Sequence, residues 1–71
     1  MELLDRITIE PGKRGGKPCV RGIRICVSDV LELLALGLDR DGVLKQMPSL
    51  ELEDIKACLL FAARASDDKK N

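Results

Sequence analysis

The chain contains no histidine, no tyrosine and no tryptophan, and its single aromatic residue is Phe61. Without histidine there is no side chain to serve as an ordinary acid–base catalyst near neutrality, and none to activate Ser28, Ser49 or Ser66 as a nucleophile. The three cysteines, Cys19, Cys26 and Cys58, are odd in number and lack C-x-x-C spacing, so neither a disulfide framework nor a tetrahedral zinc site is expected. They are read as small buried hydrophobes, free thiols of a reducing compartment with no chemistry assigned. No basic start followed by an apolar stretch marks a signal peptide, and no apolar run is long enough to cross a bilayer. A cytoplasmic protein that is not an enzyme, with no cofactor and no metal, is the expectation.

At 71 residues the chain sits near the lower limit of what one hydrophobic core stabilises unaided. Small folds find support in disulfides, a structural metal or oligomerisation, and with the first two excluded a homodimer is expected. The formal net charge is zero, but it is unevenly spread. Lys13, Arg14, Lys17, Arg21 and Arg24 stand in residues 11–27 without a single acid, whereas the rest of the chain is acidic on balance.

Residues 6–10 alternate apolar and polar with β-branched side chains and end at Pro11-Gly12, which predicts a short strand. Residues 20–27 alternate again and predict a second strand paired with the first. Ser28 occupies an N-cap position, with Asp29 near the positive end of the helix dipole, and Val30, Leu33 and Leu34 keep helical spacing up to Gly37. Asp39 is the next N-cap; Val43, Leu44 and Met47 form one face of a weak helix that Pro48 ends. The last helix is predicted over residues 52–65, with Leu52, Ile55, Leu59 and Ala62 as its core stripe. On that wheel Leu60 falls roughly 80° from Leu52 and Phe61 roughly 180°. The fold class expected is mainly α: a three-helix, helix-turn-helix-like bundle with a short N-terminal β-strand pair. Residues 1–66 form one domain, with residues 1–27 as a β extension and 28–66 as the helical core, followed by a disordered tail at 67–71.

The candidate binding residues are the five bases Lys13, Arg14, Lys17, Arg21 and Arg24. Clustered cations attract DNA phosphates or an acidic protein surface, or are simply solvated, and composition alone leaves these three open. The loop around Gly15-Gly16-Lys17-Pro18 lacks P-loop spacing, and its proline stands where a P-loop needs a hydroxyl, so a nucleotide site is not expected. The second and third helices have helix-turn-helix dimensions, but Glu51, Glu53 and Asp54 would face the DNA backbone and repel it. Glu53-Asp54, like Asp67-Asp68, is read as a solvated face. Ile7 and Ile9 on the strand edge, and Leu60 and Phe61 on the last helix, are the candidate dimer or partner interface.

Gly15, Gly16, Lys17, Pro18, Arg21, Gly22, Arg24, Ile25, Val27, Gly37, Pro48 and Leu50 follow one another as in the domain of unknown function 433 family, which the chain resembles over roughly residues 6–63. It departs at Ile23, where the family has threonine, at Cys26 for proline and at Glu51 for the threonine that caps the last helix; that lost cap is worth about 1 kcal/mol. The resemblance implies a homeodomain-like core, commonly dimeric, and an antitoxin role beside a PIN-like nuclease toxin, with repression of the shared operon through operator DNA as a second activity. Under it, Arg21 and Arg24 are the favoured partners of the nuclease's metal-binding carboxylates, since guanidinium forks match carboxylates. The alternative is a stand-alone helix-turn-helix repressor.

Overall fold

The alternation that predicts a strand over residues 20–27 fails at its second residue. Arg21 and Gly22 both take positive φ, 48° and 73°, and the Ile23 N–H donates to the Val20 carbonyl at 2.8 Å, which closes a tight turn with the twist of a primed hairpin turn. Only Cys19–Val20 remains as a strand, β2. It pairs antiparallel with β1, Ile7–Thr8, placing Ile7 opposite Val20 and Thr8 opposite Cys19. Beyond the turn the chain comes back along β2, so that Cys26 faces Cys19 in an isolated bridge.

The computed structural model describes residues 2–68 and shows a mainly α fold with three helices and this two-stranded sheet. A 3-10 turn, Leu3–Arg6, precedes β1 and lies along the last helix. A second turn, Arg14–Gly16, precedes β2; Arg14, Gly15 and Gly16 all have positive φ, a conformation in which the two glycines carry no steric cost. Helix α1 spans Val27–Ala35, α2 Arg40–Gln46 and α3 Leu52–Asp68. No helix among the described residues is long and apolar enough to cross a membrane.

Helix α1 begins one residue before the predicted cap. Cys26 holds the N-cap position, and its N–H donates to Asp29 Oδ2 at 2.9 Å; Ser28 lies exposed within the first turn. Its end follows the sequence. The Leu38 N–H donates to the Leu33 carbonyl at 3.2 Å and the Gly37 N–H to that of Leu34 at 3.0 Å, around a Gly37 φ of 103°. That is the Schellman arrangement. Asp39 caps α2 as predicted, accepting from the Gly42 N–H at 2.9 Å.

Val20, Val27, Val30, Val43, Leu50, Ile55 and Cys58 form the core, so β2, all three helices and the turn between α2 and α3 each contribute. The core therefore reaches into the β extension instead of ending at residue 28. Helix α3 is rotated by about a quarter turn from its predicted orientation. It buries Asp54, Ile55, Ala57 and Cys58, while Leu52 and Leu59 are 40% and 48% exposed. Phe61 packs against the core and Leu60 is half-buried. Of the proposed strand-edge pair, Ile7 packs on the core and Ile9 is exposed. The helix also continues through Asp67 and Asp68, where a disordered tail was predicted; residues 69–71 of that tail lie outside the described residues.

The rotation has a direct test in truncation. Ile55→Ala empties a fully buried site and should cost about 2–5 kcal/mol in urea unfolding, whereas Leu59→Ala should cost less than about 1 kcal/mol. Similar losses at both positions would contradict the orientation of α3.

Candidate functional site

The hairpin turn presents Arg21 to the start of α3. Its Nε and Nη2 donate to the Asp54 carboxylate at 3.0 and 2.8 Å, and Nη2 also donates to the Ser49 carbonyl at 2.9 Å. From the other side, Arg6 Nη1 donates to Asp54 Oδ1 and to Glu51 Oε1, both at 2.9 Å. The Glu51 N–H completes the set, donating to Asp54 Oδ2 at 2.7 Å. Asp54 thus occupies the third position of α3 and reaches back to satisfy an amide at the helix start, half of a capping box. Glu51 supplies only its amide to this box, and the Asp54 N–H donates to the Glu51 carbonyl at 2.9 Å where a threonine hydroxyl would accept it.

Asp54 has no exposed surface. Burial pushes its carboxyl up, but the Arg21 hydrogen bonds, the Glu51 amide and Arg6 outweigh that and hold it below the usual carboxylate range. Hydrogen bonding to Glu51 and then Asp54 raises the guanidinium of Arg6, and to Asp54 that of Arg21. Two cations and two carboxylates make the cluster neutral. The reading of Glu53-Asp54 as a solvated face is therefore corrected: Glu53 lies 3.7 Å from Lys56 at the surface, and Asp54 is inside.

Three of the five candidate bases are occupied within the chain. Arg21 is held by Asp54. Arg14 Nη1 donates to the Arg24 carbonyl at 2.8 Å and to Asp29 Oδ2 at 3.1 Å, the bond with Asp29 raising its guanidinium. Lys13 donates to the Gly22 carbonyl and lies 3.6 Å from Glu10 Oε1. Among the described residues Lys17 and Arg24 form no ion pair.

Lys17 borders a groove of about 630 Å³ between the loop before β2, the start of α1 and the end of α3. Its apolar lining is Pro18, Val27, Leu31, Phe61, Ala62 and Ala65, with Ser28 and Ser66 as polar members. The groove combines an apolar floor with one uncommitted cation. Such a surface suits a protein segment carrying an apolar side chain near a carboxylate better than it suits a regular phosphate backbone. Among the described residues no group of three or more cysteine, aspartate or glutamate side chains is placed to hold a metal ion.

Sequence reasoning missed Asp54 and Arg6. The available signal was spacing: Asp54 lies four residues before Cys58 and next to Ile55, which places a charge on a buried helix face.

A family model described as a protein of unknown function, DUF433, matches residues 7–62. An uncharacterized protein, y4eO, of Sinorhizobium fredii (strain NBRC 101917 / NGR234) is 38% identical over 56 residues, which cover 79% of this chain and 25% of that protein. The chain thus spans about a quarter of the length of this relative. No solved structure matches.

The ion-pair cluster makes stability depend on pH in a defined direction. The folded Asp54 carboxyl titrates below its unfolded counterpart, so as pH falls the unfolded chain takes up the proton first. The contribution is complete above about pH 4 and is lost progressively below it. Arg21→Met should cost about 2–3 kcal/mol at neutral pH, a moderate figure because Arg21 is partly solvated and Arg6 remains in place. In urea unfolding the gap between variant and parent should narrow as the pH drops through the acid range; a gap that is negligible at neutral pH, or that widens in acid, contradicts the assignment.

Proposed function

This chain belongs to the DUF433 family, and we propose that it acts as an antitoxin-type module that binds and neutralises a PIN-like nuclease, with repression of the shared operon as a second role. The observation that carries the reading is the division of labour among the loop bases. Arg21, Arg14 and Lys13 hold the hairpin in place, and Lys17 and Arg24 are the bases left for a partner, Lys17 at the edge of an apolar groove. A nuclease that gathers carboxylates around a metal offers the matching chemistry: acids for Lys17 and Arg24, and an apolar side chain for the groove between Leu31 and Phe61. Arg21, favoured from sequence, becomes a positioning residue, since its fork is spent on Asp54 and Ser49.

The helix-turn-helix repressor is the weaker reading. The turn between α2 and α3 has suitable dimensions, but the first turn of α3 presents Glu51 and Glu53, and neither releases counterions from DNA.

Co-expression with the neighbouring nuclease tests the proposal. A stable complex is expected, and a Lys17→Glu, Arg24→Glu double variant should bind about tenfold or more weakly with its urea midpoint unchanged. Unchanged affinity in that variant rejects the site, and failure to form any complex rejects the role. Binding to operator DNA at low salt that weakens steeply as salt rises, without nuclease binding, transfers the function to the repressor reading.

A further inference from the structure

Cys19 and Cys26 face each other across the backbone ladder. The Val20 N–H donates to the Ile25 carbonyl at 2.9 Å and the Val27 N–H to the Pro18 carbonyl at 3.0 Å, so the two bonds flank the cysteine pair without involving it. In this non-hydrogen-bonded register opposed Cα atoms approach to about 4.5 Å, inside the span of about 4.4–6.8 Å that disulfides bridge. The Sγ atoms are 3.8 Å apart and both side chains are buried. Closing a bond between them asks for side-chain rotation and no rearrangement of the ladder.

We propose that Cys19 and Cys26 are an oxidisable dithiol site, closing to an intramolecular disulfide on exchange with a small disulfide oxidant. A thiolate from the pair attacks one sulfur of glutathione disulfide and releases one glutathione. The neighbouring thiol, deprotonated, then attacks the protein sulfur of the mixed disulfide, forms the Cys19–Cys26 bond and releases the second glutathione. Two protein thiols are oxidised, one glutathione disulfide is reduced to two glutathiones, and the two thiol protons end on them.

The position gives the bond a consequence. Pro18 and Val27, the neighbours of the two cysteines, both line the groove beside Lys17 and share a backbone hydrogen bond, so the disulfide adds a covalent tie between the loop and the start of α1 at that groove. Burial, reinforced by the hydrogen bond with Cys26, raises the Cys19 thiol, while Arg14 and Lys13 act against that rise. Thiolate is therefore scarce at neutral pH, and exchange should speed up as the pH rises. Cys58, pushed up to about 11 by burial in the core cluster, serves as an internal comparison.

The test equilibrates the full chain in glutathione redox buffer, folded and in urea, then blocks free thiols and maps the cysteines by proteolysis and mass. The expected result is a Cys19–Cys26 linked peptide with Cys58 recovered blocked, in a fraction several times larger for the folded chain than for the unfolded one. Cys26→Ser should replace the link by a glutathione adduct or an unreacted Cys19. If that variant does not fold, the parent alone decides, through an unfolding midpoint that rises on oxidation and returns on reduction. Equal linked fractions with and without urea, or pairing of Cys58 in preference to Cys19 with Cys26, overturn the proposal.

Discussion

A carboxylate removed from water stays ionised only when cations and donors replace the water it has lost, and the surroundings of Asp54 meet that demand from three separate parts of the chain. Arg6 arrives from the N-terminal 3-10 turn, Arg21 from the hairpin, and the Glu51 amide from the start of α3 itself. The rest of the architecture follows from bringing these groups together. The Arg21 N–H donates to the Arg6 carbonyl at 2.6 Å, so the two arginines are joined through the main chain as well as through their shared carboxylate. A non-glycine residue at positive φ costs on the order of 1 kcal/mol or more, and Arg21 is held there by a side chain bonded at both its Nε and Nη2.

The same constraint explains which parts of the fold the sequence reveals. Helix limits governed by local chemistry are legible: Asp39 caps α2, Gly37 turns the chain out of α1, and Pro48 follows α2 closely. The orientation of α3 is not, because Leu52, Ile55, Leu59 and Ala62 make as good an apolar stripe as the one actually buried. Choosing between them depends on Arg6 and Arg21, which lie 48 and 33 residues away from Asp54 in the chain. Residues 20–27 mislead for a related reason. Their alternation is that of a strand, but Arg21-Gly22 forms a primed turn, a use for which asparagine or aspartate before glycine is the usual signal.

For the candidate site, the cluster of five bases was visible and the allocation of their charge was not. Composition gives residues 11–27 a strongly basic character, yet three of the bases are answered by Asp54, Asp29 and Glu10 from elsewhere in the structure. What remains for a partner is narrower: Lys17, Arg24 and an apolar groove. The DUF433 family match covers the hairpin and most of α3 but begins at Ile7, one residue after Arg6. The cysteines show the same limit of sequence reading. Their burial follows from their hydrophobic character, whereas their opposition depends on the hairpin closing between them.

The central claim is that Arg21 and Asp54 act as one unit across the fold, and a double-mutant cycle measures this most directly. Arg21→Met, Asp54→Asn and the double variant would be compared with the parent by urea unfolding at neutral pH. The account predicts a coupling energy of about 2 kcal/mol or more, because either single change already removes the bidentate pair and leaves Arg6 as the cation next to residue 54. Losses that add to within about 0.5 kcal/mol would contradict it.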